Sequence, residues 1–234
     1  MNTWRHELKY LCYESELRIL EKSLQLILHR DIHASVNGVY TVSSVYFDSL
    51  SRECYYDNEN GTDPRYKFRM RTYNHSEDRV ALEKKIKWRS KTSKKYCLID
   101  PMICREVLEG AELTNHVGQG KALDDWIIER NAKILKPTVL IEYVRTPYVY
   151  KLGNVRITFD RFISASRNVN GLFSSEVSKI AVLPTGRHIL EVKYDDYLPD
   201  PIYNILDTGH MQQITFSKYY LGCKALEGNL HNEF

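Results

Sequence analysis

The feature that most constrains this chain is a set of alternating segments whose polar positions are Lys, Arg and Glu, where a surface strand would carry Thr, Ser or Gln. Arg65 to Tyr73 sets Arg65, Lys67, Arg69 and Arg71 against Tyr66, Phe68, Met70 and Thr72. A period of two places these sets on opposite faces of one strand. Val80 to Lys87 sets Ala81, Glu83, Lys85 and Lys87 against Leu82, Lys84 and Ile86, and the connection at Asn74 to Asp78 predicts an antiparallel pair. Trp4 to Tyr10 repeats the pattern with Arg5, Glu7 and Lys9 on one face. Thr138 to Tyr150 aligns Val139, Ile141, Tyr143 and Arg145, with a bend expected at Pro147. Val155 to Asp160 opposes Arg156, Thr158 and Asp160 to Val155, Ile157 and Phe159. His188 to Tyr194 opposes Glu191 and Lys193 to Leu190, Val192 and Tyr194. Any one such strand, taken alone, would turn its charged face to water. Here the other faces are apolar enough to pack against helices, so the charged faces must turn inward and the sheet must curl. A closed barrel encloses such a lumen.

The remaining segments supply the cover. Ser15 to Arg30 places Leu17, Leu20, Leu24, Ile27 and Leu28 at helical spacing, with Ser15 as N-cap. Val39 to Phe47 reads as a strand ending at Asp48, and Leu50 to Asn60 as a short helix stopped by Gly61. Lys91 to Ile99 is a further strand, and Asp100-Pro101 opens a helix to about Glu109. Leu123 to Leu135 is a helix closed by Pro137, Asp200-Pro201 opens a short one, and Phe216 to Leu226 forms the last. Without a β-α-β rhythm, the expected class is α+β, an antiparallel β-barrel tunnel with a polar, basic lumen, flanked by helices. With 234 residues, 43% of them hydrophobic, and no linker, one domain over 1–234 is expected.

Composition excludes several classes. No run approaches the ~20 apolar residues of a spanning helix. The N-terminus carries Arg5 and Glu7 where a signal peptide would be apolar. The 5 Cys are never spaced C-x-x-C, so reduced thiols and a cytoplasmic location are expected. A net charge of +3 is too mild to argue nucleic acid. Inward basics beside many Tyr could bind single strands by stacking, but most Tyr fall on the strand face opposite the Arg and Lys, so no nucleic-acid partner is expected. Gly118-Gln119-Gly120-Lys121 lacks P-loop spacing, and His6, His188 and His210 fit no compact metal site.

A lumen of Lys and Arg is untenable empty, because like charges in poor solvent repel. A polyanion makes it sensible. Arg offers forked donors to phosphate and Lys a compact charge. E-x-K recurs at Glu7-Leu8-Lys9, Glu83-Lys84-Lys85 and Glu191-Val192-Lys193; on a strand the two charges share a face ~6.5 Å apart. A carboxylate there can hold Mn²⁺ or Mg²⁺ beside phosphate, though Glu83 could instead be a salt-bridge partner of Lys85 or Arg71. Lys218 stands at the start of the last helix, where a lysine is ordinarily solvated. The lack of a Ser-His-Asp or Cys-His set suits phosphoryl transfer, which needs positioning and charge neutralisation above all.

Val45-Tyr46-Phe47-Asp48, Lys67-Phe68-Arg69-Met70-Arg71-Thr72-Tyr73, Leu82-Glu83-Lys84-Lys85, Glu142-Tyr143-Val144-Arg145, Val155-Arg156-Ile157-Thr158-Phe159-Asp160, Leu190-Glu191-Val192-Lys193-Tyr194 and Phe216-Ser217-Lys218-Tyr219 occur in this order. Together they resemble the VTC domain, a polyphosphate polymerase module of the triphosphate tunnel metalloenzyme superfamily. The resemblance runs from Glu7 to about Leu221. It implies transfer of the terminal phosphate of ATP to a growing polyphosphate chain, with water as acceptor (a triphosphatase) or binding without turnover as alternatives. It implies catalytic roles for Lys9, Arg69, Arg71, Lys85 and Glu191, and phosphate or nucleotide contacts from Lys94, Arg145, Arg156, Lys193, Ser217 and Lys218. Among Lys91, Lys94 and Lys95, it favours Lys94. Glu191 matches the metal-binding glutamate. Thr215 departs from the pattern, since relatives often carry lysine there. Arg5 stands where the triphosphatase branch has the first glutamate of E-x-E-x-K. The resemblance further implies a stand-alone, bacterial-type version without the SPX domain and transmembrane helices of the eukaryotic proteins. A separate membrane-protein partner would place it at the inner face of a membrane.

Overall fold

Each alternating segment is a strand, and the strands close into a ring. The computed structural model describes residues 4–31, 37–111, 120–207 and 211–228. In chain order the strands are β1 (Arg5–Tyr13), β2 (His29–Arg30), β3 (Tyr40–Asp48), β4 (Arg65–Tyr73), β5 (Val80–Trp88), β6 (Lys91–Ile99), β7 (Lys136–Tyr150), β8 (Val155–Ser166), β9 (Ile180–Ala181), β10 (Arg187–Tyr194) and β11 (Gln212–Gln213). The helices are α1 (Glu14–Leu24), α2 (Glu53–Glu59), α3 (Pro101–Leu108), α4 (Lys121–Lys133), α5 (Asp200–Leu206) and α6 (Lys218–Leu226). The order around the ring is β7-β3-β4-β5-β6-β1-β10-β8, and β8 pairs back onto β7. All pairings are antiparallel. The expected α+β barrel is what forms, and β2, β9 and β11 are short additions to it.

Apolar packing is divided among three places. On one outer side Phe68, Met70, Leu82 and Phe47 lie beneath α3 and α4 with Trp126, Leu123 and Val107. On the other, Ile157, Phe159, Leu190 and Val192 lie beneath α1 and α5 with Leu17, Leu20, Leu24 and Ile202. The third cluster closes one end of the barrel interior, where Leu11, Val42, Ile141, Ala165 and Ile189 meet Tyr219 and Cys223 of α6. Gly222 permits that approach: a Cβ there would lie 2.2 Å from Ile141 Cδ1. A bulge in β8 at Phe162, with φ of 54°, resets the alternation, so that Asp160 faces the lumen and Ile163 and Ala165 join the plug.

Several boundaries differ from the sequence reading. α1 stops at Leu24, because His29 and Arg30 pair with Val149 and Tyr148 of β7, and sheet pairing overrides helical spacing. Its N-cap is Tyr13 rather than Ser15, with the Glu16 carboxylate accepting from the Tyr13 N–H at 2.6 Å. α2 begins at Glu53 rather than Leu50, because Asp48 accepts from the backbone N–H groups of Ser49, Cys54 and Tyr55 and fixes the turn before it. α6 begins at Lys218 rather than Phe216, since Ser217 caps it by accepting from the Tyr220 N–H at 3.3 Å. β7 passes through Pro147 without interruption.

Candidate functional site

Three buried carboxylate knots organise the lumen. In the first, Glu7 of β1 accepts from Lys85 of β5 at 2.7 Å and pairs with its strand neighbour Lys9 at 2.9 Å. Lys193 of β10 stands 3.8 Å from Glu7 and closes directly onto Glu191. The β1–β10 register sets Lys9 opposite Glu191 and Glu7 opposite Lys193, so two E-x-K pairs interlock across one ladder. In the second knot, Glu83 of β5 receives Arg69 at 2.6 Å, Lys94 at 2.8 Å and Arg71 at 3.9 Å. Tyr46 holds Arg69 from β3 at 3.0 Å, while Ser44 and Tyr143 hold Arg71 at 3.0 and 3.1 Å. In the third, Asp160 of β8 takes a forked pair of bonds from Arg145 of β7 at 2.7 and 2.8 Å. Lys218, the first residue of α6, reaches the same carboxylate at 2.7 Å.

Burial alone would raise these acids, but their neighbours win. Lys85, Lys9 and Lys193 hold the Glu7 carboxyl well below its ordinary value, and Lys193, Lys218, Lys9 and Arg145 do the same for Glu191. Arg69, Arg71 and Lys94 depress Glu83, and Arg145 and Lys218 depress Asp160. Burial pushes Lys9 down, but Glu7 and Glu191 outweigh it and raise the ammonium above its ordinary value. The carboxylates are therefore ionised and the lumen is richer in basic groups than in acids, while burial pushes the Lys85 ammonium down to about 7 despite Glu7. Arg and Lys held by carboxylates are set to exchange those partners for phosphate oxygens without reorganising.

The structure brings Lys9, Arg69, Arg71, Lys85, Lys94, Arg145, Lys193, Lys218 and Glu191 into this one space. Arg156 lies at the rim, pairing with Asp31 at 2.8 Å and donating to the Tyr40 hydroxyl at 3.0 Å. Ser217 sits at the α6 end, where its Oγ accepts from Lys67 at 2.8 Å. Of the three candidate lysines, Lys94 enters the lumen and Lys95 turns outward to Asp125 at 2.9 Å.

Three readings change. Lys218 is buried rather than solvated. Glu83 is an ion-pair partner of Arg71 as expected, at 3.9 Å, but its nearer partners are Arg69 and Lys94, and Lys85 is not among them. Tyr40, Tyr46 and Tyr143 share the face of the Arg residues, since β3 and β7 alternate in phase with β4. Their hydroxyls accept from Arg156, Arg69 and Arg71, so these rings aim guanidinium groups rather than offer a stacking surface. The anchor that sequence reasoning missed is Asp160 as the counter-ion of Arg145 and Lys218. Its place in the Arg156-Thr158-Asp160 alternation was the available signal; its partners come from another strand and a helix. His210 and Gly118-Gln119 lie outside the described residues.

Glu191 also faces a buried hydroxyl. Thr158 stands opposite it in the β8–β10 ladder, and its Oγ1 has no hydrogen-bond partner among the described residues. A carboxylate and an orphaned hydroxyl oxygen, with Glu7 diagonal to them, form a hard-oxygen set that fits Mg²⁺ or Mn²⁺. No group of three or more His, Cys, Asp or Glu side chains converges among the described residues, so phosphate oxygens would complete the shell.

No helix among the described residues is long and apolar enough to cross a membrane. No curated protein matches the chain. Solved structures share its fold at low identity. An adenylyl cyclase-like protein from Hippeastrum, whose dominant activity is that of a triphosphatase, aligns with a TM-score of 0.58 at 12% identity, covering 96% of each chain. An adenylate cyclase-like protein from Bacillus halodurans aligns at 0.58 and 13%, covering 92% of this chain and 95% of that one. One from Vibrio parahaemolyticus aligns at 0.52 and 11%, covering 94% and 98%. The VTC domain model matches residues 4–227. With a barrel of inward Lys, Arg and Glu over that same span, the chain belongs to the VTC domain family.

Proposed function

We propose that the protein is a polyphosphate polymerase working as one tunnel domain over residues 1–234. A terminal oxygen of the growing chain attacks the γ-phosphorus of ATP, the bond from that phosphorus to the β–γ bridging oxygen breaks, and ADP leaves. Arg69, Arg71 and Lys94 bind one stretch of phosphate, with Glu83 as the partner they exchange for it. Lys9, Lys85 and Lys193 bind a second beside Glu7 and Glu191, and Arg145, Arg156, Ser217 and Lys218 line the remainder. These groups orient donor and acceptor in line and neutralise their oxygens. A divalent ion bound at Glu191 would add positive charge against the phosphate oxygens.

The observation that carries polymerisation over hydrolysis is Arg5. It occupies the place of the first glutamate of E-x-E-x-K and turns to Asp195 at 2.9 Å. β1 therefore offers the lumen one carboxylate, Glu7, already clamped by two lysines. That arrangement supports gripping a long anion more than assembling a metal-rich hydrolytic centre. The triphosphatase reading draws on the activity of the Hippeastrum protein, and binding without turnover is the third. Cytoplasmic ATP is the proposed donor, nucleic acid is not a proposed partner, and a separate membrane protein is a proposed site of attachment. The test is incubation of purified protein with ATP and Mn²⁺ or Mg²⁺, resolving products on a gel. Long-chain polyphosphate and ADP are expected. Rapid release of phosphate from tripolyphosphate, with no polymer from ATP, makes it a triphosphatase; binding without turnover makes it a binding module.

A further inference from the structure

Three inward basic positions, Arg65, Lys67 and Lys87, have no carboxylate within 4.0 Å among the described residues, and of these Lys67 is the one that donates to Ser217 at the start of α6. Lys9, Arg69, Arg71, Lys85, Lys94, Arg145, Arg156, Lys193 and Lys218 each have a carboxylate within 4.0 Å. Lys67 of β4 has no such ion pair among the described residues. Its ammonium donates to Asn58 Oδ1 at 2.9 Å and Ser217 Oγ at 2.8 Å, and lies 5.0 Å from the centre of the Tyr219 ring. The neighbouring acids are committed elsewhere. Asp48, next in the β3–β4 ladder, accepts from three backbone N–H groups and from the Tyr219 hydroxyl. Glu59 accepts from Tyr220 at 3.2 Å. Beside Ser217 and Asn58 opens a cavity of about 210 Å³, also lined by Glu59, Thr215, Tyr220 and Leu221.

Taking the polyanion-binding tunnel as given, we propose that Lys67, with Asn58 and Ser217, is a further phosphate subsite at the α6 end of the lumen, taking an end phosphate of a linear polyphosphate. An ammonium has three donors. With two directed at neutral oxygens, Lys67 retains capacity for a third acceptor, and a phosphate oxygen supplies the missing counter-charge. The electrostatics agree with the geometry. Burial pushes the Lys67 ammonium down to about 7, Arg65 of its own strand and Lys9 of β1 add to that, and Cys54 and Asp48 oppose it. Lys85 faces it from the adjoining strand. A phosphate arriving there restores the proton, so binding near neutral pH takes up protons and weakens as pH rises.

The test is calorimetric titration of the full chain with tripolyphosphate, ATP and inorganic phosphate, each in two buffers of different ionisation enthalpy, from pH 6 to 8.5. For tripolyphosphate, the wild type should take up close to one proton more than Lys67→Arg near pH 8, any uptake by Lys85, which burial also pushes down to about 7, being common to both. Lys67→Arg should bind as tightly as wild type at pH 6 and several-fold more tightly at pH 8.5. Comparing these two proteins cancels the titration of the ligand itself. Lys67→Met should lose about tenfold at pH 6, with thermal unfolding confirming that it folds. Equal affinity and equal proton uptake in all three proteins would overturn the subsite while leaving the tunnel reading intact. A loss confined to inorganic phosphate or to ATP would overturn its assignment to a polyphosphate end. A wild type that binds none of the three anions would sink both readings together.

Discussion

Phe68 and Arg69 are consecutive in β4 and meet opposite fates. Phe68, 1% exposed, lies in the apolar layer beneath α4. Arg69 is partly buried, its side chain 14% exposed, and is held by Glu83 and Tyr46. The outer face of the barrel removes apolar surface from water, worth ~25 cal/mol per Å². The inner face desolvates charges, and the attraction between buried partners roughly offsets that cost. Stability is therefore an outer-face property, and the inner face is kept for a ligand that the fold itself does not need. If that division holds, the two faces should respond separately to pH, truncation and charge removal.

Acid should produce the largest effect, and it should act from inside. Glu7, Glu83, Asp160 and Glu191 all titrate below their ordinary values in the folded chain. A depressed folded pKa adds stability that is present above the unfolded value, 4.5 for Glu and 3.8 for Asp, and is lost as pH falls toward the folded value. The four carboxylates lose that contribution over the same range of pH, each leaving buried cations without a partner as it is protonated. Unfolding followed by circular dichroism should begin below about pH 4.5 and approach completion near pH 3. Outside the lumen Glu14, Asp125 and Glu142 also titrate below their ordinary values, but their ion pairs are more exposed and weigh less, so a protein fully native at pH 3 would contradict the division. Saturating tripolyphosphate should move the acid midpoint, since it competes for the same cations.

Truncation of the outer face comes next. Phe68→Ala should cost about 3–5 kcal/mol, the usual range for a buried aromatic. It should leave turnover per folded molecule near wild type at a temperature where the variant is native. A fall in kcat comparable to that of Arg69→Met would mean that strand position is transmitted through β4 and that the faces are not separable.

How far this division could be read from sequence follows from the same physics. Alternation reports which residues share a face, and that sufficed for the strands, the inward turn of the charges and the α+β barrel. The preference for Lys94 over Lys95 comes from the family resemblance, since alternation alone does not set the register of β6; the pairing of Lys94 with Lys85 in the β5–β6 ladder supplies it. What alternation cannot report is who meets whom across the ring. Asp160 with Lys218, and Glu83 with Lys94, depend on register and on where α6 enters. The Tyr residues were misassigned for a related reason: β3 carries small Ser44 between Tyr40 and Tyr46, so its inward face does not look charged. Lys67 was visible as one more basic position, but its distinction is a missing carboxylate partner beside Ser217, which only the packing of α2 and α6 reveals.

Charge removal at Glu191 is the smallest of the three effects in energy and the most telling for function. The side chain is 5% exposed, with Lys193 closed on it and Thr158 opposite. Glu191→Gln keeps the shape, removes the charge that would hold a divalent ion, and leaves Lys193 and Lys9 sharing Glu7 as their carboxylate. Turnover should fall by about 10²–10³, or about 3–4 kcal/mol of transition-state stabilisation, the scale for loss of one electrostatic partner. Sequence alone suggests a neutral or even favourable effect on folding, because Leu190, Val192 and Tyr194 supply the packing. The ion pair changes that expectation. Without ligand the variant should lose about 1 kcal/mol, because Lys193 loses its direct partner and keeps only Glu7 at 3.8 Å. It should bind tripolyphosphate without metal at least as tightly as wild type, since a carboxylate that repels phosphate has gone. Weaker metal-free binding would mean that Glu191 shapes the phosphate site itself. Full Mn²⁺-dependent turnover would place the metal elsewhere, with Glu7 or Glu83 the remaining carboxylates on the same wall.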